Sequence, residues 1–440
     1  MAAISPKRRQ EILDALRRGT VPARGLDVLA VGLDRFEATL DEELKRVAAG
    51  GAGFKAVRGE YGSGKTFFSR WLEERARKLG FATSEVQISE TETPLHRLET
   101  VYRRLVERLA TDELPSGAFR SLIDGWFFAL EQDVLADGSI GEAQSEQLMA
   151  KTQELLEKRL GSVARTAPSF ATALRAYREA STQGNRSIAD GVLAWLAADP
   201  NVGAEVKRFA KLKGDVDHFG ALCFLEGLLV ILRDSGRAGL VLVLDEVETL
   251  QRVRSDARDK ALNALRQLLD EIDAGRFPGL YLVLTGTGAF YDGPQGAQRL
   301  APLAQRLHVD FSTEARFDNP RAVQIRLPGF DAPRLEMVGR RVRDLFADHS
   351  ADNGRIRERA DDAYIATLAA SVTGELGGKI GVVPRVFLKK LVGDVLDRID
   401  QFADFDPRKH YSLTVTEQEL TDQERRARSA QSPDDIELPP

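Results

Sequence analysis

The octet Gly59-Glu60-Tyr61-Gly62-Ser63-Gly64-Lys65-Thr66 constrains this chain more than any other stretch. It has the form G-x-x-x-x-G-K-T, the spacing of a phosphate-binding P-loop. Gly59 and Gly64 let the backbone turn where a Cβ would obstruct it. The N–H groups of the loop then converge into a nest for a β-phosphate. A helix starting at Lys65 adds the positive end of its dipole. Lys65 is placed to reach β- and γ-phosphates, and the Thr66 hydroxyl to sit on Mg²⁺. The expected nucleotide contacts are therefore Gly59, Glu60, Tyr61, Gly62, Ser63, Gly64, Lys65 and Thr66, with ATP and Mg²⁺ as cofactors. The flanks agree. Phe54-Lys55-Ala56-Val57 reads as a short strand, and residues 67–79 read as an amphipathic helix with Phe68, Trp71 and Leu72 on one side.

A chain of 440 residues holds two or three domains and a large core. With 43% apolar and 29% charged residues it reads as globular, and no apolar run approaches the roughly 20 residues of a membrane span. The basic start, with Lys7, Arg8 and Arg9, lacks the apolar centre of a secretory signal. Cys223 is the single cysteine, which excludes an internal disulfide framework and a cysteine-built zinc site. The cytoplasm is the compartment these features lead one to expect. The net charge of −5 provides no global footprint for nucleic acid.

The second chemical anchor is far downstream. Gly239-Leu240-Val241-Leu242-Val243-Leu244-Asp245-Glu246 has the continuous apolar run of a strand buried on both faces. It ends in two carboxylates. Asp245 fits the Mg²⁺-side acid, and Glu246 fits the base that polarises an attacking water. Glu248 and Thr249 are weaker candidates nearby. Another buried strand, residues 279–288, ends Thr285-Gly286-Thr287, where a hydroxyl from Thr285 or Thr287 can hold that water.

Between the anchors, residues 95–235 carry mostly 3.6-residue periodicity, and 115–215 reads as a helical insertion. Residues 1–20 read as a separate amphipathic helix, followed by an ATPase core over 21–330. Val323-Gln324-Ile325-Arg326-Leu327 reads as the last core strand. Residues 331–403 read as a helical lid, and 404–440 as a polar, disordered tail, in which 411–415 could add a strand.

This order of motifs resembles AAA+ ATPases of the origin-recognition and helicase-loader branch. More narrowly, the stretches 57–66, 85–105, 241–250 and 381–391 resemble the ATP-binding proteins of BREX phage-defence loci. The resemblance implies an α/β fold: a P-loop AAA+ parallel-sheet core with a large helical insertion and a C-terminal helical lid. It implies that Thr285 or Thr287 is the sensor after the fourth strand, and that Arg385, in Pro384-Arg385, touches the γ-phosphate from the lid. Arg306 takes the place of an arginine finger offered to a neighbouring subunit. Val31 and Gly32, just before the first strand, take the place of base neighbours. The chain departs from origin-recognition proteins after the lid, where only about 40 polar residues follow and a winged-helix domain does not fit.

The expected function is an ATP-binding and hydrolysing switch or motor subunit of a bacterial anti-phage complex, slow without its partner. Expected partners are further copies or other defence proteins, with DNA reached through a complex and no membrane contact. The alternative is a nucleotide-binding signalling scaffold with little turnover. A small-molecule kinase is disfavoured, because an Arg-rich lid between the motifs is missing and adjacent Asp-Glu suits water as nucleophile.

Overall fold

Two strands set the layers of the molecule. The computed structural model describes residues 4–136, 145–348, 350–375 and 384–412. In it, β1 (Gly53–Arg58), β2 (Ala82–Gln87), β3 (Leu240–Asp245), β4 (Leu280–Gly286) and β5 (Gln324–Arg326) form one parallel sheet in the order β2-β3-β4-β1-β5. β3 and β4 are buried along their whole length, as Leu/Val runs must be in a sheet covered on both faces. Their alternation separates two cores. Leu240, Leu242, Leu244, Leu280, Leu282 and Leu284 face one side. Val241, Val243, Tyr281 and Val283 face the other.

The second core is closed by α2 (Asp34–Ala48) and α3 (Lys65–Lys78), through Phe36, Leu40, Phe68, Trp71 and Leu72. The first core is covered by α4 (Leu98–Glu107), α5 (Phe119–Ala136), α6 (Ser145–Thr166), α7 (Pro168–Thr182), α8 (Arg186–Leu196), a short α9 (Ala204–Phe209), α10 (His218–Asp234) and α11 (Ser255–Asp273). The helical insertion expected over 115–215 corresponds to α5–α9. Its apolar faces join the sheet's own cluster: Phe224 of α10 packs edge-on against Phe170 of α7 and Trp195 of α8. The insertion thus shares the sheet's core.

After β4 come α12 (Gly288–Asp292) and α13 (Ala301–Leu307), then β5. The lid is built from α14 (Ala332–Ala347), α15 (Asn353–Arg359), α16 (Asp362–Glu375) and α17 (Pro384–Lys389). α17 runs through a π-helical stretch, Lys390–Leu396, into α18 (Asp397–Gln401).

Two expectations need correction. The N-terminal helix α1 (Pro6–Arg17) does not stand apart; its Ile12, Leu13 and Leu16 belong to the lid core with Leu335, Val338 and Leu391. Arg17 clamps Asp397 with two 2.8 Å bonds, the fork geometry that suits Arg to carboxylate. Residues 404–412, expected within the polar tail, hold α19 (Pro407–His410), whose Pro407 is buried and whose Arg408 pairs with Asp361 at 2.6 Å. Phe405 and Tyr411 supply the apolar contacts that tie it to the lid. Tyr411 and Ser412 are in no strand. Residues 413–440 and the lid stretch 376–383, with its glycines, lie outside the described residues.

β1 carries a buried charge. The Lys55 ammonium donates to Glu43 Oε1 at 2.8 Å and to the carbonyls of Pro320 and Ala322 at 3.2 and 2.8 Å. The Tyr281 hydroxyl donates to the other Glu43 oxygen at 2.5 Å. Burial pushes the Lys55 pKa down against the pull of Glu43, and pushes Tyr281 well up. Removing one partner of such a pair leaves an uncompensated ion in the core. Glu43→Ala is therefore expected to lower unfolding free energy by about 3–5 kcal/mol in a denaturant titration. A loss below about 1 kcal/mol, the scale of an exposed pair, would mean that Lys55 escapes to solvent.

Candidate nucleotide-binding site

The loop between β1 and α3 closes on itself for steric reasons. A Cβ at Gly59 would lie 2.3 Å from Ser63 Oγ, and Gly64 has φ +91° at the start of α3. A side chain at Gly59 would have to displace the Ser63 hydroxyl, and one at Gly64 would be strained by the left-handed backbone. Within the loop, Lys65 Nζ donates to Gly59 O at 2.7 Å and lies 5.1 Å from the Tyr61 ring centre. The Glu60 carboxylate accepts from Gly288 N at 3.2 Å, which ties the loop to α12.

The sheet order inserts β4 between β1 and β3, so the end of β4 falls between the loop and the acidic pair. Val57 pairs with Thr285, and Leu244 with Leu284. The Thr285 hydroxyl donates to Asp245 Oδ1 and accepts from Glu246 N at 3.2 Å. Thr66 Oγ1 donates across to the other Asp245 oxygen at 3.5 Å. Glu246 has φ +60°, a conformation rare for residues with a Cβ. It turns the chain sharply out of β3 into a 3₁₀ turn, Val247–Gln251. That turn brings Glu248 back toward the loop.

These groups face a cavity of about 280 Å³. Glu60, Tyr61, Gly62, Gly64, Lys65 and Thr66 form one wall, and Asp245, Glu246 and Glu248 another. Arg385 enters from the first turn of α17, where Pro384 suits the helix start. Apolar side chains complete the lining: Leu16, Val21, Pro22, Leu29, Val338 and Leu388. Charged and apolar lining together suit a ligand with an anionic end and a flat apolar end.

Glu248 is only 2% exposed, and neither of its oxygens accepts a hydrogen bond. Lys65 Nζ is 3.5 Å from Oε1. Burial pushes the Glu248 pKa up, and the Lys65 charge opposes that rise. Tyr61 is pushed up to about 12, first by burial and then by Glu248. Glu246 is held differently: Gln87, at the end of β2, donates to its Oε2 at 3.0 Å.

The residue types fit a hard divalent cation. Thr66 Oγ1 and an Asp245 oxygen face the same cavity, two oxygen ligands of the kind Mg²⁺ takes when waters and phosphates supply the rest. Among the described residues, no group of three or more His, Cys, Asp or Glu could hold a metal by itself.

Most of the expected site residues meet here. Thr285 lies buried beneath the acidic pair, and Thr287 is buried at the cap of α12. Ser63, Val31 and Gly32 line a smaller adjoining cavity of about 30 Å³, together with Gly64, Phe67 and Phe330. Arg306 is not at the cavity. It sits on α13, paired with Asp273 and with Asp270 at 2.5 Å. Sequence reasoning missed Gln87 and the apolar wall from α1 and the following strap. The polar last residue of β2 was a signal for Gln87. Nothing local marks Leu16 or Val21, because a lid contact made by an N-terminal helix is a tertiary fact.

No helix among the described residues is long and apolar enough to cross a membrane. No curated protein matches the chain. The model of one family, described as BREX system ATP-binding protein BrxC/D, matches residues 4–415, nearly its whole length. With its loop, acidic strand and lid arranged around one cavity, the chain belongs to the BrxC/D family of BREX system ATP-binding proteins.

Proposed function

We propose that this protein binds Mg²⁺-ATP in the cavity and hydrolyses it, as a AAA+ type switch or motor subunit of a BREX anti-phage complex. Family membership supports ATP binding and the defence setting. The observation that carries hydrolysis is the Thr285 hydroxyl, which joins Asp245 to the Glu246 backbone opposite Lys65 and Thr66. Lys65 and the loop N–H groups hold the phosphates, and Thr66 and Asp245 hold the cation. Bound Mg²⁺ supplies neutralisation of phosphate charge. Glu246 takes the proton of the attacking water, and Thr285 holds the acidic pair in register. The apolar lining, Leu16, Val21, Leu29 and Val338, would receive the base, and Val31 and Gly32 line the adjoining cavity.

The AAA+ reading of the origin-recognition and helicase-loader branch rests on motif order and on the lid arginine. Self-association, other defence proteins, and DNA held through a complex are the proposed partners. For Arg306 to act as a finger toward a second copy, it must first leave Asp270 and Asp273. The Gln87–Glu246 contact favours a second reading, a scaffold that binds nucleotide and turns it over little. ATPase rate and native mass, each with and without ATP and duplex DNA, separate the two. A slow rate that rises with a partner supports the motor. Nucleotide bound without turnover under every condition overturns hydrolysis.

Arg385 tests the lid. A guanidinium at the start of α17 can make a two-pronged contact with phosphate oxygens. Arg385→Ala is expected to leave ADP affinity nearly unchanged and to weaken ATP by about tenfold, the effect of one charge-assisted bond. Affinities for both nucleotides at one salt concentration check this. Equal effects on the two would remove Arg385 from the γ-phosphate.

A further inference from the structure

A second cavity, of about 370 Å³, lies between α3, β2 and the strap that follows α1. Four guanidiniums face it: Arg24 from the strap, Arg70 and Arg77 from α3, and Arg108 from the end of α4. Two carboxylates, Glu73 and Glu85, share it. The cations outnumber the anions. Of these four, among the described residues, Arg70 alone is within ion-pair distance of a carboxylate, Nε to Glu85 at 3.4 Å. Arg24 donates to Asp112 O at 3.2 Å, Arg77 to Thr83 Oγ1 at 2.6 Å, and Arg108 to Glu85 O at 3.4 Å. All three acceptors are neutral.

The carboxylates do not cancel this excess. Glu73 is buried, and burial with the nearby Glu85 charge pushes its pKa up to about 8. Glu85 is also pushed up, mainly by burial. A guanidinium keeps its charge at any ordinary pH and presents a planar fork to tetrahedral oxyanions. Four of them border one concave space, where they can offer forked donors to an anion.

We propose that this cavity is a second anion site, which takes a phosphoryl group of a small phosphorylated ligand. The concavity suits a compact ligand. A nucleic-acid backbone needs an open basic track, and the chain's net charge of −5 provides none overall.

Inorganic pyrophosphate is the probe, because it has the chemistry without a base. The two cavities share the strap, residues 19–22 lining one and Ala23 and Arg24 the other. The variants are Arg24→Gln with Arg108→Gln, and separately Lys65→Ala. Calorimetry is therefore run on the full chain, with the parent and the double arginine variant saturated with ADP, which fills the P-loop, and with Lys65→Ala free of nucleotide, which it holds poorly. Pyrophosphate is expected to bind the parent and Lys65→Ala alike, and at least roughly tenfold more weakly to the double arginine variant, which loses two charge-assisted contacts. A matching melting temperature for the double variant shows that it is folded. Binding lost in Lys65→Ala but kept in the double variant would place the anion in the nucleotide cavity and overturn the proposal. So would no binding to the parent. Duplex DNA binding that depends on Arg24 and Arg108, with no pyrophosphate binding, would overturn it in favour of a nucleic-acid surface.

Discussion

Glu246→Gln is expected to bind ATP like the parent and to lose about 10²–10⁴-fold in turnover, the usual contribution of a general base. The amide keeps the shape of the carboxylate. It leaves intact the backbone bond from Glu246 N to Thr285, and so the αL turn out of β3. It removes only the capacity to take a proton from water. The contact with Gln87 sharpens the expectation. That amide now holds the carboxylate through Oε2 at 3.0 Å, and Gln at position 246 can still accept the same bond through its carbonyl oxygen. A single-turnover measurement beside an equilibrium binding curve separates the two effects. Glu248→Gln is the control. Glu248 also lines the cavity, but it is buried and pairs only with Lys65, which suits a counter-ion better than a base. If Glu246→Gln turns over at the parental rate and Glu248→Gln does not, the base is Glu248.

The legible parts of this protein were those whose chemistry is local in sequence. The P-loop states its own geometry, since the left-handed φ at Gly64 favours glycine and Gly59 packs closely on Ser63. β3 and β4 announce themselves through continuous apolar runs, Leu/Val in β3 and Leu-Tyr-Leu-Val-Leu in β4. Pro384 marks a helix start, and Arg385 follows it into the cavity. What escaped depends on contacts between distant segments. α1 carries an apolar stripe that could cover a sheet or a lid; the choice is made by Leu335, Val338 and Leu391, more than 300 positions away. Residues 404–412 look polar, yet Phe405, Pro407 and Tyr411 are enough to hold a short helix on the lid. The insertion reads as a module because its helices are contiguous. Its packing against α10 and the sheet is set by Phe170, Trp195 and Phe224, whose partners no periodicity reveals. Glu248 shows the same limit at the site. Three residues past the end of β3 it reads as a weaker candidate, and its burial against Lys65 follows only from the turn at Glu246 that folds it inward.

Lys65→Ala is expected to weaken ATP binding by about 10²–10⁴-fold. The side chain offers the β- and γ-phosphates charge-assisted bonds of about 1.5–3 kcal/mol each, and each 1.4 kcal/mol is about tenfold in affinity. The resting contacts show what must be exchanged. Lys65 now donates to Gly59 O at 2.7 Å and stands 3.5 Å from Glu248. Phosphate oxygens replace these partners, so the ammonium moves from one anion to another without becoming unpaired. Glu248 keeps no such substitute. Without Lys65 its carboxylate faces incoming phosphates from a buried position with no hydrogen bond, and two like charges repel strongly at low dielectric. Part of the loss in Lys65→Ala is therefore repulsion. Lys65→Ala with Glu248→Gln is expected to recover a measurable fraction of ATP affinity, while Glu248→Gln alone changes it little. Calorimetric titration of the three variants checks both statements. Unchanged affinity in Lys65→Ala would take the phosphates out of the loop altogether. No recovery in the double variant would mean that Glu248 is already protonated when nucleotide arrives, as its raised pKa allows, and that the whole loss belongs to the missing ammonium.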